Sequence, residues 1–250
     1  MSVGTLNFAL PLGNGVFASA VPNTFTGTAQ QDCYLERLSI SADLAGTNAA
    51  ASGIVTAATV ANQSIFTSSA ASIPVEMLYP NAQVEQANLL GVALASGSSV
   101  SVTVQTDAAG DVTGMVGTAP VPAGVDPSGF SLSQLSMIFP MGDAGVIAAG
   151  AANAVILTAT CSRACTLQQL IGVSDIPELV MTSLQIAGAE QLAGAGEIAV
   201  NAQLGPFATD QLGHFINQRI SPGEQVSLTL QNNDPGAAAT TFARFGIYCI

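Results

Sequence analysis

Few side chains in this sequence could carry out chemistry. There are four cysteines, one histidine and no lysine among the 250 residues. Cys161 and Cys165 are four residues apart, which on an extended strand corresponds to about 13 Å, too far for a disulfide. A zinc site needs several ligands, and His214 supplies at most one of them. We therefore predict buried thiols at all four cysteines, including Cys33 and Cys249, and no metal site.

Catalytic motifs are also missing. Signatures built on lysine, on paired histidines or on G-x-S-x-G do not occur. Gly194, Gly196 and Ala199 approach a dinucleotide-binding pattern, which works only between a strand and a helix. The surrounding sequence is typical of β-structure, so we interpret this stretch as a Gly/Ala-rich loop. His214, beside Phe215, is interpreted as a structural residue. We predict no catalytic residues, no cofactor and no enzyme activity.

Carboxylates in turn-like stretches leave one alternative open. Calcium could bridge subunits through Asp107, Asp111 or Asp234, although these stretches are first of all turns. Other carboxylates in turn-like stretches, such as Asp143, Asp175 and Glu178, indicate no acid/base pair.

The charge balance excludes several partners. Sixteen acidic residues against four arginines give a net charge of −12, so direct binding to nucleic acid or to an anionic membrane surface is not expected. Arg37 and Arg219 are candidates for ion pairs at a subunit contact, or else solvated surface residues. Hydrophobic residues make up 49% and charged residues 8% of the chain, which suits a protein packed against neighbours.

The N-terminus has neither the basic region nor the continuous apolar run of a signal peptide. The most apolar stretch, Gly145–Ala159, is shorter than the roughly 20 residues that a membrane span needs. We therefore expect a chain that is made and kept inside a cell, at least at first.

The chain repeats itself. "GSSVSVTVQ" (97–105) matches "GEQVSLTLQ" (223–231) at an offset of 126 residues. Both alternate apolar and polar residues, which predicts a half-buried strand. Each is followed by a turn in which Gly110 or Gly236 is expected to supply a positive φ.

A second match joins "TGTAQQDCYLERL" (26–38) to "TATCSRACTLQQL" (158–170) at an offset of 132 residues. The alternation slips between Leu35 and Leu38 and again between Leu167 and Leu170, which predicts a bulge at equivalent positions. A weaker third match sets "GIVTAATVANQSIF" against "EIAVNAQLGPF", with Phe66 opposite Phe207.

These matches predict an all-β chain of two tandem jelly-roll domains, each an eight-stranded β-sandwich, with short helices in loops. An immunoglobulin-like sandwich also fits, but the absence of tryptophan weakens it. The domains are placed at residues 1–121 and 145–250, with a Pro/Gly-rich linker at 122–144. The helices are expected at Ser72–Leu90 and Thr209–Ile220.

On these repeated segments, their order and their size, the chain resembles the double jelly-roll major capsid proteins of tailless icosahedral viruses and phages. The resemblance implies a structural virion protein that assembles as pseudo-hexameric trimers into an icosahedral shell. It implies synthesis in the host cytoplasm and contacts with itself, with neighbouring trimers and with other capsid proteins. It also implies a possible lipid membrane beneath the shell, and the absence of lysine again argues against direct contact with nucleic acid.

Two other classes stay open. A two-domain β-sandwich filament subunit, adhesin or minor virion protein would show the same repeat. A carbohydrate-binding or cupin-like enzyme is the third hypothesis, although a cupin needs a His-rich metal centre and lectin sites usually need exposed aromatic residues, which are scarce here.

Overall fold

A computed structural model describes residues 8–43, 53–79, 89–131, 137–150, 154–193, 196–206 and 215–250. These residues are almost entirely β-structure and divide into two compact units. Unit 1 contains the described residues up to Ile65, with 78–79 and 89–131. Unit 2 contains 66–77 and the described residues from Met137 onwards.

The described residues of unit 1 form eight strands in two antiparallel sheets. One sheet has the order β1-β9-β3-β7 and the other has the order β2-β8-β4-β5. Successive strands lie in opposite sheets except for the hairpin β4–β5, as in a jelly roll. The strands are β1 (Phe8–Phe17), β2 (Asn23–Thr28), β3 (Cys33–Asp43), β4 (Gly53–Val60), β5 (Gln63–Ser64), β7 (Leu89–Leu94), β8 (Ser99–Thr106) and β9 (Gly110–Ala119).

Unit 2 repeats this topology. Its sheets have the orders β10-β18-β12-β16 and β11-β17-β13-β14. Two short strands, β6 and β15, and a π-helix at Val200–Leu204 also belong to this unit. The strands are β6 (Ile73–Pro74), β10 (Met137–Asp143), β11 (Val155–Thr160), β12 (Cys165–Ser174), β13 (Leu179–Ile186), β14 (Ala189–Glu190), β15 (Ile198–Ala199), β16 (Phe215–Ile220), β17 (Gln225–Asn232) and β18 (Ala243–Cys249). The chain therefore consists of two tandem jelly rolls, as predicted.

The two strong sequence matches fall on equivalent strands. Strands β8 and β17 are offset by 126 residues, and both bury alternate residues. Strands β2 and β11 are offset by 132 residues, and so are the starts of β3 and β12. The predicted bulge is confirmed, because the register shifts between Leu35 and Arg37 in β3 and between Leu167 and Gln169 in β12.

Two further pairs of bulges were not predicted. Strand β1 shifts register at Pro11/Gly13, and β10 shifts at Pro140/Gly142. Strands β4 and β13 shift at Val55/Ala57 and at Met181/Ser183. Since bulges re-aim strands and fix their register, three shared bulge positions indicate two copies of one scaffold.

The third sequence match is wrong. The equivalent of β4 is β13 at Leu179–Ile186, whereas 197–204 forms β15 and the π-helix, and Phe207 lies outside the described residues. The hairpin turns make the true correspondence clear. Ala61 and Asn62 have φ of 48° and 62°, and Ala187 and Gly188 have φ of 50° and 79°. Positive φ at both central residues defines the two-residue turn that matches strand twist.

The expected helices are largely absent from the described residues. The segment 72–79 contains β6 and one 3-10 turn at Val75–Leu78. Residues 89–90 begin β7 and residues 215–220 form β16, because these strands complete the sheets β1-β9-β3-β7 and β10-β18-β12-β16. The remaining parts, 80–88 and 209–214, lie outside the described residues. Gly110 and Gly236 are not among the residues with positive φ; in the matched segments that role falls to Gly97 and Gly223, with φ of 86° and 89°.

The inward side chains of the two sheets form the core of each unit. In unit 1, Phe17 and Phe25 stack with their ring centroids 5.0 Å apart, beside fully buried valines of β8. In unit 2, Phe139, Leu167 and Phe245 are fully buried. Each such side chain stabilises its unit by roughly 1.5–3 kcal/mol. Strand β10 supplies part of this core, although it lies within the predicted linker at 122–144.

Candidate assembly surfaces

All four cysteines are buried free thiols, as predicted. The strand spacing expected between Cys161 and Cys165 does not apply, however. Cys161 follows β11 and Cys165 begins β12, so the chain reverses direction between them. Burial raises the pKa of the Cys161 thiol, whose Sγ donates to the Arg163 carbonyl at 3.0 Å.

Cys165 and Cys249 share one hydroxyl partner in unit 2. Thr67 Oγ1 lies 3.5 Å from Cys249 Sγ and 3.9 Å from Cys165 Sγ. Burial raises the pKa of Cys249 well above its ordinary value, so this group stays a neutral thiol. The hydrogen bond with Cys249 and that with Thr67 lower the pKa of Cys165 in spite of its burial. Both thiols are buried, and a reactive cysteine needs an accessible thiolate, so the pair fills the core.

The described residues contain no group of three or more His, Cys, Asp or Glu side chains that could hold a metal ion. Asp111 is an exposed residue of β9 in unit 1. Asp234 lies in unit 2, where it accepts a hydrogen bond from the Gly236 amide. His214 and Gly194 lie outside the described residues, and Gly196 precedes the short strand β15. No described helix is long and apolar enough to cross a membrane.

Two carboxylates hold chain segments together within unit 2. Asp175 accepts hydrogen bonds from the Thr241 amide at 2.9 Å and from its hydroxyl at 2.7 Å. Asp143 accepts from the Ala243 amide at 3.0 Å and forms an ion pair with Arg244 Nε at 2.9 Å. These contacts are structural, and no local sequence pattern predicts them because the partners are 66 to 101 residues away.

The arginines make different contacts within the chain. Among the described residues, Arg244 forms an ion pair with Asp143, and its guanidinium also lies 4.5 Å from the centre of the Phe242 ring. Arg37 is half-buried and donates to the Tyr79 carbonyl at 3.4 Å. Arg219 is exposed on β16. Roles of Arg37 and Arg219 at a subunit contact stay predictions.

A band of hydroxyl groups covers the outward face of sheet β2-β8-β4-β5. Thr24 and Thr103 hydroxyls lie 2.8 Å apart across the strands, and those of Thr26 and Ser101 lie 3.1 Å apart. Alternation causes this arrangement, because the intervening valines of β8 point into the core. Strands β2, β4, β5 and β8 contain no Asp, Glu, Lys or Arg.

Unit 2 repeats this hydroxyl face on sheet β11-β17-β13-β14. Thr158 and Ser227, the equivalents of Thr26 and Ser101, lie 3.2 Å apart. Ile156 takes the place of Thr24 and is 67% exposed. The four strands carry a single charged residue, Glu190. In a chain of net charge −12, the two hydroxyl faces are areas where another copy would meet almost no like charge.

The other sheet of unit 2 is covered on its outward face. Every residue of β18 is buried. A Cβ added at Gly246 would lie 2.6 Å from Met77 Sδ and 2.9 Å from Ile73 Cγ2. Tyr248 donates its hydroxyl to the Met77 carbonyl at 2.6 Å. The segment 66–77, which follows β5 along the chain, is therefore packed onto β18 as part of unit 2.

The same face is open in unit 1. Strand β9 alternates buried and exposed residues. Met115 is 43% exposed in β9, and Val16 is 79% exposed in the neighbouring β1. We call this outward surface of β1 and β9 the open face. The equivalent residues of β18 are all buried.

Comparison with known proteins does not give a family for this chain. No protein-family model and no curated protein matches the chain. Among solved structures, the major capsid protein P2 from Bacteriophage PM2 is similar with a TM-score of 0.35 and 9% identity, covering 98% of both chains. The ANX1 ectodomain from Arabidopsis thaliana gives a TM-score of 0.29 and 9% identity, over 98% of this chain and 88% of that chain. Similarities at this level carry no argument about function.

Proposed function

We propose that the chain is a major capsid protein, a structural virion subunit whose copies assemble as pseudo-hexameric trimers into an icosahedral shell. The observation that carries this proposal is the duplication itself. Both units have one strand order and three shared bulge positions. Three chains then provide six similar units, and closed rotational symmetry is the usual result of such repeated contacts.

The hydroxyl faces support lateral contacts between neighbouring subunits. Paired hydroxyls such as Thr26–Ser101 and Thr158–Ser227 give both units similar polar surfaces. Dense packing of chains with net charge −12 requires surfaces free of like charge, and these sheets carry only Glu190. Each shell position would then present similar contacts to its neighbours.

The partners follow from the same chemistry. The chain contacts itself, neighbouring trimers and other capsid proteins, and it resides in the virion after synthesis in the host cytoplasm. Four arginines and no lysine offer little for phosphate binding, so another layer, such as a lipid membrane, separates it from the genome. Its role is structural and not enzymatic; buried thiols and carboxylates bound to backbone amides, such as Asp175, support this.

Native mass spectrometry tests the proposal. At micromolar concentration we expect a trimer as the main species, and monomers alone would contradict it. Electron microscopy then separates closed shells from head-to-tail fibres. Fibres would favour the alternative of a two-domain filament or adhesin subunit, and a complex with a different capsid protein would favour a minor virion protein.

A further inference from the structure

The segment 66–77 is part of unit 2, although the chain enters it from unit 1 and returns to unit 1 after it. The residues that flank it, Ile65 and Leu78, both belong to unit 1. Because both of its peptide connections lead to unit 1, only non-covalent contacts hold the segment in unit 2.

The first half of the segment joins the two sheets of unit 2. The Thr67 amide donates to the Ile138 carbonyl at 2.9 Å, and the Ser69 amide donates to the Thr160 carbonyl at 2.7 Å. Ile138 belongs to β10 and Thr160 to β11, which are edge strands of different sheets. The segment thus closes one edge of the sandwich.

Two thiols lie beneath this half. Cys165 and Cys249 belong to the hydrophobic core of unit 2. The fully buried Thr67 places its hydroxyl 3.9 Å from Cys165 Sγ and 3.5 Å from Cys249 Sγ. Release of the segment removes this side chain and opens a path from solvent to both thiols.

The second half covers the outward face of β18. Ile73, Val75 and Met77 are fully buried, and the Met77 carbonyl accepts the Tyr248 hydroxyl at 2.6 Å. Space for this half exists because Gly246 has no side chain, since a Cβ there would lie 2.6 Å from Met77 Sδ. Burial of the three apolar side chains favours the closed position.

Unit 1 shows that the scaffold keeps its sheets while the equivalent strand stays partly exposed. The strand order is the same. Strand β9 pairs with β1 and β3 along its length, although alternate residues of β9 are exposed. The equivalent strands β10, β18 and β12 therefore need no cover to stay paired. Elements of this kind open locally, at a lower free energy than global unfolding.

Chain order gives the direction of the process. The segment is synthesised before β10 and β18, which provide its contacts at residues 137–143 and 243–249. Its complete binding surface exists only when the last strand of unit 2 is in place. Docking of the segment therefore follows the formation of the sheets.

We propose that the segment 66–77 docks onto unit 2 as a separate, final step of folding and opens again as one element. In the open state Cys165 and Cys249 are accessible while the strands of unit 2 stay paired. This inference goes beyond the proposed function and does not depend on it, because it concerns contacts within one chain.

Thiol alkylation of the full chain tests the inference. Iodoacetamide is applied to the native protein in increasing urea below the unfolding transition, and peptide mass spectrometry gives the rate at each cysteine. We expect the rates of Cys165 and Cys249 to change little with urea, because local opening exposes much less surface than unfolding. Amide exchange in β12 and β17, measured in parallel, should show the stronger urea dependence of unfolding.

Gly246→Ala tests whether the two halves open together. The added methyl group displaces Met77 on the outward face of β18, whereas the thiols lie in the core. We expect alkylation of Cys165 and Cys249 to become at least about ten-fold faster, because overpacking disfavours the closed position. Amide protection in β12 and β17 should be unchanged, and so should the rate at Cys33, a buried thiol of unit 1.

Gly117→Ala is the matched control on β9. A Cβ at Gly117 would meet no atom closer than 3.8 Å, so all rates should stay unchanged. Tyr248→Phe is a milder second variant, which removes one hydrogen bond to the segment and should accelerate alkylation of Cys165 and Cys249 by about five-fold.

The outcomes are distinct. Alkylation of Cys165 and Cys249 with the urea dependence of β12 exchange would show that the segment leaves only when unit 2 unfolds, and would overturn the inference. Unchanged alkylation in Gly246→Ala would also overturn it. If Gly246→Ala does not fold, unchanged alkylation in Tyr248→Phe has the same meaning. None of these results alters the oligomeric state by which the proposed function is tested.

Discussion

Strands β9 and β18 occupy the same place in two copies of one scaffold but lie in different surroundings. Strand β9 alternates buried and exposed residues, and β18 is buried throughout. Two features account for the difference. The segment 66–77 packs onto β18 within unit 2, and Gly246 of β18 occupies the position that Met115 occupies in β9. A duplicated fold can thus keep its core and register while the equivalent outer faces of its two units lie in different surroundings.

The largest effect is expected for the covering segment. Met77→Ala removes a fully buried side chain and should reduce the free energy of unfolding by about 2–5 kcal/mol, because it leaves a cavity. Met115→Ala, at the open face, should change it by less than about 0.5 kcal/mol in the monomer. Urea unfolding measures the loss, and hydrogen exchange of β18 amides assigns it to unit 2. Equal effects would contradict the difference between the two faces.

The next effect concerns the ion pair. Asp143→Ala removes the acceptor of Arg244 Nε and of the Ala243 amide. It should lower the free energy of unfolding by about 1–3 kcal/mol, because a largely buried guanidinium loses its charged partner. The equivalent pair in unit 1 is Asn14 and Thr113. Asn14→Ala should leave the free energy of unfolding, measured by urea titration, almost unchanged. A loss comparable to that of Asp143→Ala would contradict the difference between the two units.

A smaller effect is expected at the tyrosine hydroxyl. Tyr248→Phe removes the hydrogen bond to the Met77 carbonyl and should lower the free energy of unfolding by about 1 kcal/mol. Tyr34→Phe, at a half-exposed residue of unit 1, serves as the matched control. Thermal unfolding of both variants should separate them, and an unchanged Tm for Tyr248→Phe would argue against a tight cover on β18.

The smallest effect is expected at the two equivalent hairpins, β4–β5 and β13–β14. Hydrogen bonds from the Ser183 hydroxyl and the Leu192 amide lower the pKa of Glu190, whereas unit 1 has Ser64 at this position. A folded-state pKa below the unfolded value of roughly 4.3 stabilises the ionised form. This contribution is present above the unfolded value and is lost as the pH falls through the folded pKa.

Glu190→Gln should therefore reduce the acid sensitivity of unit 2, measured as β14 amide exchange between neutral and acidic pH. Ser64→Ala should not change the pH dependence of unit 1. An unaltered acid response of Glu190→Gln would show that this carboxylate does not contribute.

Regular patterns made the fold predictable. The alternation of Val100, Val102 and Val104 gave β8, and the slip between Leu35 and Leu38 gave a bulge, because both depend on neighbours along one strand. Strand β13 was missed because, at the offset of 126 residues, it shares only one identical residue with β4, which is Thr182. The Pro-x-Gly bulges at Pro11 and Pro140 were missed because their offset of 129 differs from those of the other repeats.

The candidate surfaces were less predictable. That 66–77 packs in unit 2 depends on contacts such as Met77 with Gly246, which lie far apart in sequence. The pairing of Asp143 with Arg244 across 101 residues leaves no local pattern either. One signal was present: "ARFGIYC" lacks the alternation of "GDVTGMVGTA", and loss of alternation indicates a strand buried on both faces.

The central claim, that two copies of one jelly roll act as building units of a shell, is tested most directly by electron cryo-microscopy of the purified chain. The account predicts closed particles built from trimers with six similar lobes. Isolated monomers, or open fibres with one repeated head-to-tail contact, would contradict it.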